Sequence, residues 1–350
     1  MQCDNNDIRP ITLAGFTGQR EVVDRVENAI TAAIIKKDAF PHTIMSGPPG
    51  LGKTTLASII ANEMDVPLIK IMATAIKNPS DIESILAKIS NSGYNTNGEI
   101  INRDLLIPSV IFIDEIHRLP SLITELLHTV LEDNLISLKK KNYESQSNEA
   151  QEYWVPRFTL VGATNYMGQL PKPFLDRFAL HFNFEYYSLE DIVKVLYNSS
   201  KSLGYFINDE GILEIAKRSR GIPRIANRFL SLSNDYTIAK TKKLDTEINF
   251  EFVNGMFKKE GIDEIGLDKR DRKALYYLST IPRPIGSKSL AQAIDEDEDT
   301  LENSIEPYLV KLGFMVRTPQ GRYITEEGKE YLGIINRGRL LPKKQQGDVK

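Results

Sequence analysis

The ten residues Ser46-Gly47-Pro48-Pro49-Gly50-Leu51-Gly52-Lys53-Thr54-Thr55 constrain this chain more than any other stretch. His42-Thr43-Ile44-Met45 before them has the character of a short strand. Leu56-Ala57-Ser58-Ile59-Ile60-Ala61-Asn62 after them places apolar residues at helical spacing. Gly47 to Thr54 fit G-x-x-x-x-G-K-[ST], and strand, glycine-rich loop and helix are the context that pattern requires. The glycines let the backbone turn so that successive N–H groups point inward, and a helix starting near Gly52 adds its positive end. Together they form a nest for the β- and γ-phosphates of a nucleotide such as ATP. Lys53 supplies a point charge, and the Thr54 hydroxyl is placed to ligate Mg²⁺. Pro48, Pro49, Leu51 and Thr55 complete the phosphate-binding run. A surface glycine turn that happens to carry a lysine is the bland alternative, and the flanking strand and helix weigh against it.

Length and composition set the outer bounds. A chain of 350 residues holds two or three domains with ample core, and 41 % hydrophobic with 26 % charged residues is ordinary for a globular protein. The net charge of −3 means that any nucleic-acid contact must come from local patches. A single cysteine, Cys3, excludes an intrachain disulfide framework and a cysteine-based zinc site, which suits a cytoplasmic location. No signal-like start and no bilayer-length apolar run is present, so no membrane partner is expected.

On either side of the loop the chain alternates strands and helices. Arg9-Pro10-Ile11 leads into a turn at Phe16-Thr17-Gly18-Gln19 and a helix from Glu21 to about Lys36. Arg9 is placed with the nucleotide-binding residues, and the turn is a candidate wall for an adenine pocket that spacing alone does not establish. Val66 to Met72 reads as a buried strand, Asp81 to Ile89 as a short helix, and Ser90 to Arg103 as a polar loop or insertion. Ser109-Val110-Ile111-Phe112-Ile113-Asp114-Glu115 is an apolar run ending in two acids, the pattern of a parallel-sheet strand buried on both faces. Ligands of open α/β sheets bind at that edge. Asp114 is then placed to hold Mg²⁺ and Glu115 to polarise an attacking water. His117 is read as a structural histidine more readily than a functional one. Leu122 to Leu131 is an amphipathic helix, and Ile136 to Tyr153 a long hairpin or a solvated loop. Phe158 to Asn165 is another buried strand, whose terminal amide, Asn165, could orient the water or contact the γ-phosphate. Arg177 stands at a helix end, and His181 to Tyr186 forms a last strand.

From Ser188 the pattern becomes helical, over Leu189–Leu203, Asp209–Arg218, Pro223–Ala239 and Phe250–Lys259. Pro223 suits a first helical turn. Arg224 beside it is an odd choice on dipole grounds unless a triphosphate, or simply solvent, meets it. Residues 264–335 read as three helices, Asp271–Leu278, Ser287–Ala293 and Thr300–Lys311, then two strands around Thr318-Pro319-Gln320-Gly321, a winged helix. Arg317 and Arg322 on its wing are candidate phosphate-gripping, DNA-binding residues. A protein-interaction module is the alternative. The acidic run Asp295 to Asp299 is expected to face away from any DNA. The division expected is an α/β P-loop domain with a parallel sheet at 1–186, a helical lid at 187–262, a winged helix at 263–335 and a flexible basic tail at 336–350.

In this order the segments resemble AAA+ ATPases, and more narrowly the RuvB family of Holliday-junction branch-migration motors, over nearly the whole chain. The likeness is carried by Gly47–Ala57, Phe112–Leu119, Phe158–Thr164, Gly221-Ile222-Pro223-Arg224-Ile225-Ala226-Asn227-Arg228, Glu306–Leu309 and Gly313–Pro319. It implies that Asn165 is sensor 1, that Arg177 is an arginine finger reaching a neighbouring subunit's ATP, and that Arg224 is sensor 2. It also implies a homo-hexameric ring around double-stranded DNA at a four-way junction, and a RuvA-like junction-binding partner docking on the Ile136–Tyr153 hairpin. Three features depart from the family: a longer Ser90–Pro108 link, a different hairpin sequence, and Gln320 where the family has arginine. An AAA+ loader or remodeller acting on a DNA-bound protein, and a DNA-binding regulator that only switches with ATP, are the competing readings.

Overall fold

The computed structural model describes residues 8–90, 109–141, 148–155 and 157–338. Cys3, most of the expected 90–108 insertion, the tip of the expected hairpin at 142–147 and the tail from 339 lie outside the described residues. The chain divides into two compact units, residues 1–203 with 222–224, and residues 204–221 with 225–350.

The first unit begins with α1 (Arg20–Lys36), then β1 (Thr43–Ser46), α2 (Lys53–Glu63), β2 (Leu68–Met72) and α3 (Pro79–Ser90). It continues through β3 (Ser109–Asp114), α4 (Ser121–Asp133), the hairpin β4 (Leu135–Lys141) and β5 (Asn148–Trp154), and β6 (Phe158–Thr164). A single short turn, α5 (Lys172–Leu175), then β7 (Leu180–Asn183) and α6 (Leu189–Leu203), complete it. Five strands form a parallel sheet in the order β2-β3-β6-β1-β7. The central strands are apolar without alternation because helices cover both faces: β6 is buried at all seven positions and β3 at five of six. Ile44, Ile113, Ile116 and Leu160 belong to one cluster that joins the sheet to α4. Burying such side chains stabilises by about 1.5–3 kcal/mol each.

Two strands differ from expectation. β2 is not buried: it is the edge of the sheet, paired only with β3, and its pattern is half-exposed with Lys70 in solvent. The last strand is Leu180–Asn183 rather than His181–Tyr186, since its pairing with β1 ends at Ser46↔Asn183.

The second unit contains α7 (Asp209–Arg218), most of α8 (Pro223–Thr241) and α9 (Phe250–Glu260), followed by α10 (Lys269–Ser279) and α11 (Ser287–Ala293). Then come α12 (Glu298–Thr300), a π-helical turn (Leu301–Ile305), α13 (Glu306–Lys311), the wing strands β8 (Met315–Thr318) and β9 (Gly321–Ile324), and α14 (Glu326–Gly338). α14 was not foreseen. It follows the hairpin and runs into the segment expected as tail, and Leu332 on it packs into the cluster of Leu275, Leu278 and Leu309. The π turn has a cause in Pro307, which has no N–H to donate back into the helix, so the hydrogen-bond ladder changes register before it.

Arg220 ties the end of α7 to the three-helix core formed by α10, α11 and α13. Its guanidinium is 2.6 Å from Asp271, bonds the Gly266 carbonyl at 3.0 Å and stacks on the Tyr308 ring at 4.7 Å. Burial pushes the Asp271 carboxyl up to about 6 against the opposing pull of Arg220.

The acidic run is occupied by local structure. Asp297 caps α12 by accepting from Thr300, and Asp295 pairs with Lys273. Beneath the wing, Glu306 at the start of α13 is fully buried and is 2.7 Å from both Arg317 and Arg322. A buried carboxylate of this kind is tolerated only with its partners in place. Glu306→Ala is therefore expected to destabilise this unit by about 3 kcal/mol, read as a lower denaturant midpoint. A midpoint equal to the parent's would contradict it.

Candidate active site

Three adjacent strands end side by side, and each delivers one part of the site. β1 runs into the glycine-rich loop, β3 ends at Asp114, and β6 ends at Thr164 just before Asn165. The loop itself depends on glycine geometry. Gly50 has φ +84, and a Cβ there would meet Ile222 at 2.9 Å and the Arg224 Cβ at 3.0 Å. The Arg224 N–H also donates to the Gly50 carbonyl at 3.4 Å. The N-terminus of α8, with exposed Arg224, is thus brought against the phosphate loop. Pro223 occupies the first position of that helix, as its missing N–H allows.

Lys53 opens α2 and is 8 % exposed. Its ammonium donates to the carbonyls of Gly47 and Pro48 and to Asn165 Oδ1 at 3.1 Å. Burial lowers its pKa to about 8, although Asp114 and Glu115 pull it upward, and Arg224 lowers it further. Lys53, Asn165, Asp114, Glu115 and Arg224 therefore belong to one electrostatic neighbourhood. Thr54 and Thr55 follow Lys53 on the first turn of α2, half-buried.

Glu115 leaves β3 in a left-handed backbone conformation, φ 55, and its N–H donates to Asp114 Oδ1 at 3.1 Å. A non-glycine residue in that region is uncommon and typical of sites that must aim a side chain. Its carboxylate Oε2 lies 3.4 Å from His117 Nε2 and 3.5 Å from Arg118 Nε. His117 is not an isolated core histidine, since its Nδ1 is 3.0 Å from Thr164 Oγ1.

The far side of the loop is closed by two aromatic residues, Phe16 and Tyr187, of which sequence reasoning named only the first. A Cβ on Gly52 would meet the Phe16 ring at 3.0 Å, and the Tyr187 hydroxyl donates to the Leu51 carbonyl at 3.1 Å. Burial raises the Tyr187 pKa well above its ordinary value. Phe16 belongs to the turn proposed as an adenine wall. Tyr187 carried no signal, because its partner lies 136 positions earlier. Arg9 lines a cavity of about 250 Å³ with Thr55, Ser58, Asn62 and Lys70. Of the phosphate-binding run, Thr55 alone lines that cavity.

Two groups of expected residues have partners of their own, each within its unit. Arg177 follows α5 and bonds Glu132 at 2.6 Å and His128 Nε2 at 3.2 Å, both on α4. No distance ties it to Lys53 or Glu115. On the wing, Arg322 is 17 % exposed and spans Glu302 and Glu306, whereas Arg317 is 46 % exposed and bonds Glu306 and the Glu302 carbonyl. Arg322 is therefore largely occupied within its own unit, and Arg317 presents more of its guanidinium to solvent. Among the described residues no helix is long and apolar enough to cross a membrane.

Three family models match successive parts of the chain. One described as Holliday junction DNA helicase RuvB P-loop domain matches residues 8–184, the RuvB AAA lid domain matches 187–263, and the RuvB C-terminal winged helix domain matches 264–333. A Holliday junction branch migration complex subunit RuvB from Ligilactobacillus salivarius is 37 % identical over 95 % of this chain and 93 % of its own. One from Wolbachia sp. subsp. Drosophila simulans is 34 % identical over 94 % of this chain and 95 % of its own. Among solved structures, a Thermotoga maritima RuvB described as a Holliday junction branch migration motor matches with a TM-score of 0.77 and 33 % identity, covering 93 % of this chain and 98 % of that one.

The low Lys53 pKa has a measurable consequence. Above about pH 8 the lysine is mostly neutral on its own, and a polyphosphate beside it favours the charged form. Binding of ADP with Mg²⁺ is expected to take up protons, more at pH 8.5 than at pH 7, and to weaken as pH rises above 8. Calorimetry at pH 8.5 in two buffers of different ionisation enthalpy reads this. Identical heats in both buffers would contradict it.

Proposed function

The chain belongs to the RuvB family, and on that premise we propose how its residues run an ATP-dependent DNA branch-migration motor. The reading is carried by one observation: Lys53, Glu115 and Asn165 meet beyond the ends of three neighbouring parallel strands, with Arg224 against the loop. Such a constellation fits cleavage of a terminal phosphate by water. The protein's contribution there is positioning and charge.

The loop from Gly47 to Thr55 holds the phosphates through backbone N–H groups, and Lys53 meets the β- and γ-oxygens. Thr54 and Asp114 are the residues that would hold Mg²⁺, a hard cation suited to a hydroxyl and a carboxylate. The ion supplies charge neutralisation at the phosphates. Glu115 polarises the attacking water, Asn165 reports on the γ-phosphate, and Arg224 contacts it from the same subunit. Arg9 and the Phe16 turn flank the nucleoside.

Arg177 is assigned to the neighbouring subunit's nucleotide, in a hexameric ring. Its ties to Glu132 and His128, on a partly exposed surface, are consistent with a side chain that can be re-aimed at low cost. Charge supplied across an interface makes turnover depend on assembly, and is worth on the order of 10³–10⁵ in rate in other NTPases. The division into a P-loop domain at 1–186, a lid at 187–262 and a winged helix at 263–335 belongs to the same proposal. The winged helix grips duplex DNA at a four-way junction, chiefly through Arg317. A RuvA-like partner docking on the β4–β5 hairpin and a cytoplasmic location complete it.

Glu115→Gln is expected to retain ATP binding while hydrolysis falls at least about 10²-fold. Arg177→Ala and Lys53→Ala subunits, each inactive alone, are expected to recover partial turnover when mixed; mixed rings that stay inactive would exclude action across the interface. The motor itself is tested on a synthetic four-way junction with ATP and Mg²⁺, with and without a junction-binding protein. Absence of strand exchange in every condition would count against it.

A further inference from the structure

We propose that His117 is a positioning residue, which aims the Glu115 carboxylate and links it to the end of β6 through Thr164. The proposal rests on Glu115 being the water-polarising residue.

The groups that meet at Thr164 accommodate a link that runs toward Glu115. The Tyr166 N–H donates to Thr164 Oγ1 at 2.9 Å. With the Thr164 hydroxyl as donor, His117 Nδ1, 3.0 Å away, accepts its proton. In the neutral imidazole an accepting Nδ1 leaves the proton on Nε2. That N–H faces Glu115 Oε2 at 3.4 Å. The chain of donors runs from Tyr166 through Thr164 and His117 to the carboxylate. At 3.4 Å the last contact is long for a hydrogen bond, and such contacts commonly tighten when a substrate is bound.

Burial makes the link rigid. Thr164 is 1 % exposed, the His117 side chain is 4 % exposed, and the imidazole packs edge-on against the Tyr166 ring at 5.1 Å. The ring therefore has little freedom to abandon the carboxylate. Arg118 reaches the same Oε2 at 3.5 Å, so both cations or donors fall on one oxygen. Oε1 is the oxygen assigned to the water. A histidine three positions from Asp114 on a single 3₁₀ turn is what places the imidazole between the ends of two strands.

The link also connects two parts of the site. Asn165 follows Thr164 directly, and its Oδ1 accepts from Lys53. A γ-phosphate that draws Lys53 and Asn165 toward itself would move the residue that anchors His117. Glu115 is then aimed by the same strand end that contacts the phosphate.

The test compares His117→Ala, His117→Gln, Thr164→Val and the double variant His117→Ala/Thr164→Val, with Glu115→Gln as reference. Steady-state ATP turnover and the affinity for ATP are measured separately. His117→Ala is expected to lower kcat by about 10- to 100-fold, the size of a misplaced catalytic group, with ATP affinity within about 2-fold of the parent. Thr164→Val keeps the side-chain shape and is expected to lower kcat in the same way. The double variant is expected to be no worse than His117→Ala, because the two act in one chain. His117→Gln, which can still donate to Glu115, is expected to recover part of the loss. Parent-like kcat in His117→Ala, or losses that multiply in the double variant, would overturn the proposal. So would a loss of ATP affinity or of thermal stability that accounts for the fall in kcat. If Glu115→Gln hydrolyses ATP normally, the reading of Glu115 fails first and the proposal falls with it.

Discussion

The structure depends on three parallel strands that stop at the same level. Parallel pairing of β1, β6 and β3 fixes where the phosphate loop, Asn165 and Asp114 emerge. A parallel sheet is possible here because its central strands are apolar on both faces and helices cover them. The chemistry is then placed by register. Ser46, the last residue of β1, lies opposite Thr164, and Gly162 on β6 lies opposite Ile113 on β3. A slip of one residue in any of these pairings would turn Asp114 or Thr164 away from the site. The buried ammonium of Lys53, bound by loop carbonyls and Asn165, depends on that alignment.

Much of this was legible in the sequence, and for identifiable reasons. The glycine spacing of the loop, the apolar run before Asp114 and Glu115, and Pro223 ahead of Arg224 are local patterns, and local patterns survive folding. The family resemblance follows from their order, and the matches to three family models agree with it. What was not legible depends on contacts distant in sequence. Phe16 and Tyr187 close the loop through packing on Gly52, and neither has a periodicity that would mark it. β2 was read as buried because Leu, Ile and Met dominate it, but its place at the sheet edge is a matter of topology. α14 was hidden because its polar, glycine-containing sequence follows the wing, where a winged helix was taken to end.

Histidine 117 shows the limit most clearly. From sequence it is one imidazole after an acidic pair, a pattern that favours a structural role. The fold brings Thr164, 47 positions later, to its Nδ1, and backbone strain at Glu115 turns the carboxylate toward its Nε2. The wing arginines make the opposite point. Their positive charge suggested DNA, yet Glu302 and Glu306 already occupy Arg322. Acids one helical turn apart on the preceding helix gave no warning, since their partners are set by how the hairpin folds back.

The bond between Arg220 and Asp271 fixes its own unit at the point where the chain crosses to the other. Arg220 and Gly221 both adopt positive φ, and the next three residues belong to the other compact unit. On one side of that kink the guanidinium is fastened to a buried carboxylate, a backbone carbonyl and an aromatic ring of the three-helix core. The chain therefore leaves this unit from a fastened residue rather than from a free one. Removing the Arg220 guanidinium would leave the buried Asp271 carboxylate without its cation, just where the chain leaves the unit.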